Sequence, residues 1–116
     1  MNTEKNISQM RKGVLELCIL AIIARNEEVY ASNILEQLKD AKLIVVEGTL
    51  YPLLTRLKNE GLLSYRWEES KSGPPRKYYK TTCLGERLLN ELTTGWQELV
   101  DAVDKLMSEN YNQKEQ

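Results

Sequence analysis

The fold is decided by residues 48–63, which read GTLYPLLTRLKNEGLL. The apolar residues of this stretch recur at the helical spacing i, i+3, i+4 and i+7, as Leu50, Leu53, Leu54 and Leu57. Side chains at that spacing share one face of an α-helix, so the pattern predicts a helix over Glu47–Glu60 with one core face. Pro52 lies in the first turns, where a missing N–H is best tolerated, and Gly61 suits the left-handed position just after a helix end.

Two further helices and a short strand are predicted before this stretch. The first helix covers Ser8–Arg25 with Ser8 as its cap, and its segment Val14–Ala24 is apolar on nearly all sides. A helix of that kind is buried on several faces, either by other helices or by a partner chain. The second helix covers Tyr30–Ala41 and carries one apolar stripe at helical spacing. The β-branched run LIVV, residues 43–46, is typical of a small strand.

Two strand-like runs follow the decisive stretch. They are LLSYRWEE (62–69) and RKYYKTT (76–82), joined by SKSGPP (70–75). Together they predict a β-hairpin whose loop is longer than a two-residue turn. Tyr78 and Tyr79 point to opposite faces of their strand, so at least one of them belongs to the core. We expect Trp67 to pack beneath the hairpin or under the helix that follows it.

The last predicted helix runs from about Cys83 to Ser108, with Thr82 as its cap. Its apolar residues step by 4, 3, 4 and 3 and are Leu92, Trp96, Leu99, Val103 and Leu106. That spacing keeps one stripe aligned along the helix, which predicts a seam for packing against another helix. At 1.5 Å per residue the helix is roughly 39 Å long, so it overhangs any domain that the preceding residues form.

The order of these elements indicates the fold class. Three helices, a hairpin and a long helix form a mainly α fold with a small β-hairpin, which is the layout of a winged helix-turn-helix with a long C-terminal dimerisation helix. We expect a DNA-binding domain over residues 1–82, a dimerisation helix over 83–110 and a disordered tail over 111–116. A helix of about four turns fits the major groove of DNA, and the hairpin carries cations to the flanking backbone or minor groove.

The candidate DNA contacts are polar or cationic residues of the third helix and the hairpin. On the helix they are Thr49, Tyr51, Thr55, Arg56 and Lys58, and on the hairpin they are Lys71, Arg76 and Lys77, with Lys80 further along. Double-stranded DNA is the partner that these residues favour. A solvated, charged turn is the alternative explanation for the cations of the hairpin.

Charge is unevenly distributed along the chain, although the formal net charge is only −1. Residues 42–80 carry eight Lys or Arg against four Asp or Glu, whereas residues 81–116 carry three against seven. Local positive potential attracts phosphates, so the acidic balance of the whole chain does not exclude nucleic acid. A random fluctuation of surface charge is the other explanation.

Residue types that serve catalysis or metal binding are scarce. The chain has no His, which is the commonest general base and the commonest metal ligand. Cys18 and Cys83 lack C-x-x-C spacing and are interpreted as reduced, buried structural thiols. The polar start predicts no signal peptide, and Val14–Ala24 is shorter than the ~20 residues that span a bilayer. We therefore expect a cytoplasmic protein with no metal, no cofactor, no membrane contact and no enzymatic activity.

Two blocks of the sequence resemble the PadR family of transcriptional regulators. They are GTLYPLLTRLKNEGLL (48–63) and GPPRKYYKTTCLG (73–85), with Trp67 between them. The resemblance covers most of residues 10–108, and the long helix is similar to that of the small subfamily, which has a single C-terminal helix. It implies a homodimeric repressor that binds an inverted-repeat operator. The reading positions of the family correspond to Thr49, Tyr51, Pro52 and Arg56, and its wing positions correspond to Arg76, Lys77 and Tyr78.

The resemblance also implies an effector, often a phenolic compound or a lipophilic drug, that loosens DNA binding. In one multidrug-sensing relative, flat aromatic ligands stack between tryptophans of the tail helices, and Trp96 lies at the matching place. Packing of the dimer core is the other explanation for Trp96. The family usually has Ser or Asn as the cap of its reading helix, and Val46 at that position predicts a weaker cap.

Two other functions stay open at this point. One is a winged-helix module for protein interaction that has lost DNA binding, and the other is a small-molecule binding protein. The retained cations Arg56, Arg76 and Lys77 disfavour the first. DNA binding distinguishes both from a transcriptional regulator.

Overall fold

The structure is a computed structural model that describes the backbone of residues 1–115 and the side chains of residues 1–108. Its elements, in chain order, are α1 (Thr3–Asn26), β1 (Val29–Tyr30), α2 (Ala31–Asp40), α3 (Glu47–Asn59), β2 (Leu63–Ser70), β3 (Gly73–Thr81) and α4 (Cys83–Glu115). This order confirms the predicted mainly α fold with a hairpin and a long last helix. No helix within residues 1–115 is both long and apolar enough to cross a membrane.

The core lies where α1, α2 and α3 pack together and against the hairpin. Its largest fully buried side chains are Ile19, Leu20, Ile23, Ile34, Leu38, Leu50, Leu54 and Leu57. Burying one such side chain contributes about 1.5–3 kcal/mol relative to leaving it exposed. Most of the apolar run of α1 is therefore buried by other elements of the same chain, although Ala21 is exposed and Val14 is only half-buried, and the predicted leucine face of α3 points inward.

Helix α1 begins well before its predicted start, so Ser8 is not its cap. Asn2 is the cap, and its side-chain oxygen accepts a hydrogen bond from the N–H of Lys5 at 3.0 Å. Residues 3–13 are exposed in this chain. Because no apolar period marks an exposed stretch of helix, the sequence pattern revealed only the buried part of α1.

The predicted strand at residues 43–46 is wrong, because this segment is an irregular connection between α2 and α3. Its side chains alternate between the core and solvent, so its β-branched pattern reflects one-sided burial rather than strand pairing. The third strand is instead β1, which pairs antiparallel with residues 78–79 of β3. A strand of two residues has no period that a sequence could reveal.

Strands β2 and β3 form the predicted hairpin, but the loop between them is shorter than expected. Only Lys71 and Ser72 separate the strands, because Pro74 and Pro75 belong to β3. The sheet order is β1-β3-β2, and β1 reaches only residues 78–79 of β3. The two prolines therefore lie where β3 has a neighbour on one side only, so their missing N–H groups disrupt no second ladder. We call β2, β3 and their turn the wing.

Helix α4 is capped by Thr82, as predicted. The Thr82 hydroxyl accepts a hydrogen bond from the N–H of Gly85 at 3.0 Å and donates one to the carbonyl of Gly61 at 2.7 Å. Gly61 has a φ of 80°, which is the left-handed conformation predicted for the residue after α3. One threonine thus ties the start of α4 to the end of α3.

The long last helix exceeds its predicted end at Ser108 and continues to Glu115. Its first part packs against the core through Leu88, Leu89 and Leu92. The predicted disordered tail, residues 111–116, overlaps this helix, whose backbone is described to Glu115, and residue 116 lies outside the described residues.

Candidate nucleic-acid interface

The outer side of α3 presents every residue of this helix that the sequence predicts to contact DNA. The exposed residues include Thr49, Tyr51, Pro52, Thr55, Arg56 and Lys58. Val46 provides no side-chain hydrogen bond to the N-terminus of α3, which confirms the weaker cap. Its backbone carbonyl accepts hydrogen bonds from the N–H groups of Thr49 at 3.0 Å and Leu50 at 3.1 Å.

The predicted contact residues of α3 divide between two margins of the helix. Tyr51 and Thr55 border a cleft that lies between α3 and the wing. On the other margin, Thr49 borders a groove against α1, and Arg56 reaches Glu16 of α1. The outer side of α3 is therefore flanked by the wing on one side and by α1 on the other.

The cleft between α3 and the wing has cationic and aromatic walls, and no carboxylate of residues 1–108 lines it. Its volume is about 440 Å³, and it is lined by Tyr30, Ala31, Ser32, Tyr51, Thr55, Trp67, Pro75, Arg76, Lys77 and Tyr79. Helix α2 begins at this wall, and the side chain of its cap residue Tyr30 makes no hydrogen bond to the helix N-terminus. Because the first N–H groups of a helix lack partners within the helix, this wall favours an anion such as phosphate.

Aromatic rings of the wing hold the lysines that lie near this cleft. Lys77 Nζ is 4.6 Å from the ring centroid of Tyr65 and 5.5 Å from that of Trp67. Lys58 Nζ of α3 is 5.7 Å from the same Tyr65 centroid. Cation–π contacts of exposed residues contribute about 0.5–1 kcal/mol each, and they leave ammonium protons free to bind phosphate. Lys71 is exposed in the turn at the tip of the wing.

Tyr78 lies on the face of β3 that points away from the core, and it does not line the cleft. Its ring centroid is 4.4 Å from that of Tyr30, and the guanidinium of Arg66 lies 4.8 Å from it. Arg66 is in turn paired with Glu28 at 2.8 Å and with Glu68 at 2.7 Å. Tyr78 therefore belongs to a cluster that joins β1 to the wing, while the other predicted wing residues Arg76 and Lys77 border the cleft.

Arg56 is paired with two carboxylates. Its Nη1 lies 3.1 Å from Oε1 of Glu60, one turn further along the chain, and its Nη2 lies 3.6 Å from Oε1 of Glu16 on α1. The hydrogen bond to Glu60, followed by the charge of Glu16, raises the pKa of the Arg56 guanidinium. Arg56 is thus fully charged, but its charge is compensated within the chain.

Trp67 borders the cleft, although the sequence pattern predicted a different position for it. Its side chain is 60% exposed, so the predicted packing beneath the hairpin or under α4 is wrong. In the strand register Trp67 pairs with Lys77, which puts both side chains on one face of the wing. The sequence also missed Tyr30 and Ser32, which enter the cleft because β1 brings the start of α2 beside β3.

A second concave surface lies between α1 and α4, and it shares no lining residue with the cleft. Its volume is about 510 Å³, and its apolar lining includes Ile7, Met10, Val14, Trp96, Leu99 and Val103. Within the predicted seam Leu92 is half-buried, whereas Trp96 is 39%, Leu99 55%, Val103 43% and Leu106 62% exposed. A contiguous apolar surface of this kind marks a site of interaction.

The chain is similar to one protein family and to several solved structures. Residues 19–91 match the model of the transcriptional regulator PadR-like family. The chain is 59% identical to a PadR-like transcription factor from Bacteroides fragilis, covering 88% of this chain and 98% of that one, with a TM-score of 0.74. It is 36% identical to a PadR family transcriptional regulator from Eggerthella lenta, covering 90% of each chain, with a TM-score of 0.83. It is 41% identical to a PadR-like transcriptional regulator from Bacillus cereus, covering 85% of this chain and 96% of that one, with a TM-score of 0.74.

Proposed function

This chain belongs to the transcriptional regulator PadR-like family, and on that premise we propose that it is a homodimeric repressor that reads an inverted-repeat operator with α3 and the wing. The observation that carries the proposal is the carboxylate-free cleft in which residues of α3 and of the wing meet. Its cations suit the phosphates of one DNA strand. Repression then follows because the bound dimer occludes the DNA beneath it.

In this proposal α3 lies in the major groove, which is about 12 Å wide and admits an α-helix. The hydroxyl groups of Tyr51 and Thr55 both donate and accept hydrogen bonds, so these residues read base edges. Lys58 and Lys77 bind the phosphates of the strand that runs through the cleft. Lys71, at the tip of the wing, reaches the flanking backbone or the minor groove.

Dimerisation through α4 completes the proposal. Two copies joined along the seam present two α3 helices, and the twofold symmetry of such a dimer is mirrored by an inverted repeat. The exposed part of the seam, from Trp96 to Leu106, is covered when a second α4 packs on it. We therefore assign residues 1–82 to the DNA-binding domain and residues 83–110 to the dimerisation helix.

The groove between α1 and α4 supports a second part of the proposal, which is release of the operator by a small aromatic effector beside Trp96. The groove is apolar, open to solvent in the single chain and large enough for a flat ring system. A planar dye such as proflavine should quench tryptophan fluorescence, and Trp96→Ala should abolish the quenching. Trp67 is the only other indole. Unchanged quenching in a folded Trp96→Ala protein would mean that Trp96 only packs the dimer.

The test of DNA binding is a gel shift with the duplex upstream of the gene of this protein, at moderate salt. We expect the 116-residue chain to shift this duplex at sub-micromolar concentration. Absence of a shift at micromolar concentration, with duplexes selected from a random library as well, would contradict the proposal.

Two substitutions distinguish recognition of base edges from binding of phosphates. Tyr51→Ala should weaken binding to the operator by about 1–3 kcal/mol and leave non-specific binding nearly unchanged. Lys77→Ala should weaken binding to every duplex and lower the slope of log affinity against log salt by about 0.9. Lys105→Ala is the matched control, because this exposed lysine lies on α4 outside the seam and the cleft.

The alternative function is a winged-helix module that binds a small molecule or a protein without binding DNA. The groove between α1 and α4 is the observation that favours it. It predicts dye binding beside Trp96 together with no gel shift for any duplex, so the same two experiments decide between the functions. No enzymatic activity is proposed, because the family is one of transcriptional regulators.

A further inference from the structure

We infer that Glu16 of α1 competes with DNA for the guanidinium of Arg56 and thereby limits the affinity of the protein for its operator. The inference rests on the proposed function, because it assigns a role to a residue that does not itself read DNA. It makes Glu16 a positioning residue for Arg56.

The geometry places the two groups together from separate elements. Glu16 Oε1 lies 3.6 Å from Arg56 Nη2, and the side chains are 34% and 47% exposed. Glu16 lies on α1 between the buried residues Leu15 and Ile19, so the backbone that carries this carboxylate is fixed by the core. The pair is thus open to solvent at the edge of α3 that faces α1, where DNA in contact with α3 would reach it.

Arg56 differs in this respect from the other predicted cationic contacts. Within residues 1–108 the ion pairs of arginine are those of Arg56 and Arg66, and Arg66 belongs to the Tyr78 cluster. Lys77 borders a cleft that has no carboxylate in its lining. Among the predicted DNA contacts in the described residues, Arg56 is therefore the one for which carboxylates of the chain compete with DNA.

The competition follows from the hydrogen-bonding capacity of the guanidinium. A guanidinium binds a guanine edge or a phosphate best in a bidentate manner, through two neighbouring N–H groups. In Arg56 the Nη1 and Nη2 groups point to Glu60 and Glu16, respectively. Bidentate binding to DNA therefore competes with these carboxylates for neighbouring N–H groups, and a carboxylate that loses its contact is left close to the negative charge of the DNA.

The expected size of the effect is modest because the pair is exposed. A solvent-exposed ion pair changes an equilibrium by up to about fivefold, and high salt reduces this further. Glu16→Gln, which removes the charge and keeps the shape, should therefore tighten operator binding by about two- to fivefold at low salt.

The experiment measures fluorescence anisotropy of a labelled operator duplex with four versions of the 116-residue chain, alongside Lys77→Ala and one control variant. The four versions are the unmodified chain, Glu16→Gln, Arg56→Ala and the double variant. We expect Arg56→Ala to weaken binding and Glu16→Gln to tighten it only when Arg56 is present. Glu4→Gln is the matched control, since it removes one exposed carboxylate from the first turn of the same helix and should leave the affinity unchanged.

Three outcomes would overturn the inference. If Glu16→Gln tightens binding equally with and without Arg56, the effect is a general one of net charge. The same conclusion follows if Glu4→Gln tightens binding as much as Glu16→Gln. If Arg56→Ala leaves the affinity unchanged while Lys77→Ala weakens it, the proposed DNA binding stands and the competition fails. If the unmodified chain binds no duplex, the proposed function itself fails. Circular dichroism of each variant confirms that the proteins compared are folded.

Discussion

Gly85 is the residue at which the fold admits no side chain. It is buried in the first turn of α4, and a Cβ atom there would collide with the carbonyl oxygen of Leu62 and come within 3.1 Å of its carbonyl carbon. Because this neighbour is backbone, it cannot rotate away. The close approach allows α4 to start directly beside the end of α3, where Thr82 joins the two helices.

We predict that Gly85→Ala lowers the free energy of unfolding by about 1–3 kcal/mol, because the added methyl group overpacks a buried contact. Urea denaturation measures the effect. Gly48→Ala is the matched control, since a Cβ at this exposed position of α3 meets nothing within 4 Å. A helical alanine without a clash should raise stability by about 0.5–1 kcal/mol. Equal stabilities of the two variants would refute the proposed close approach.

Features of single residues could be predicted from the sequence where they depend on local chemistry. Gly61 and Thr82 have the conformation and the hydrogen bond expected of them, and Tyr79 is the tyrosine that belongs to the core. Cys18 is half-buried, and burial raises the pKa of its thiol, whereas Cys83 is exposed, contrary to the prediction. The exposure of Cys83 depends on how α4 packs on the core, and no local pattern encodes that.

At the scale of elements, the face of the wing that borders the cleft brings Trp67 close to the proposed path of the DNA. The indole is 60% exposed and lies beside Lys77. Trp96, in contrast, lines the groove between α1 and α4. The two tryptophans of the chain therefore report on different surfaces.

We predict that DNA changes the fluorescence of Trp67 more than that of Trp96. In Trp96→Phe, which retains only Trp67, a saturating operator duplex should shift or quench the emission, because DNA alters the surroundings of the exposed indole. In Trp67→Phe, which retains only Trp96, the same duplex should have a smaller effect, because DNA reaches this indole only indirectly, through its coupling to the groove between α1 and α4. A change of emission in Trp67→Phe alone would mean that the DNA binds away from the cleft.

Elements with a clear apolar period were predicted well, and elements without one were not. The leucine face of α3 and the alternation in β3 each follow from burial on one side. The exposed start of α1 and the two-residue strand β1 carry no such signal. Residues 43–46 carry a misleading sequence pattern, because burial on one side produces the same alternation of apolar residues with or without a partner strand.

The chain is elongated, with principal extents of 65, 32 and 21 Å. The predicted overhang of α4 is confirmed, since this helix continues far beyond the residues that pack on the core. The cleft and the paired Arg56 could not be predicted, because both depend on how α1, α3 and the wing lie relative to one another. The cations that border the cleft nevertheless come from the positively charged stretch 42–80.

Truncation of α4 is a poor test of dimerisation. Truncation near Glu86 removes the seam, but it also removes Leu88, Leu89 and Leu92, which pack against the core. A truncated chain would therefore lose stability whether or not it forms dimers. A substitution on the exposed part of the seam avoids this problem.

We predict that Leu99→Glu converts the protein from a dimer to a folded monomer. Leu99 is 55% exposed in the single chain and lies outside the core cluster, so a carboxylate there is tolerated by the monomer but is costly in an apolar interface. Light scattering should give twice the chain mass of 13.4 kDa for the unmodified protein and the mass of one chain for the variant. Gln97→Glu adds the same charge at an exposed position of α4 outside the seam and should stay dimeric. A dimeric Leu99→Glu protein would show that the subunits join elsewhere, for instance through α1.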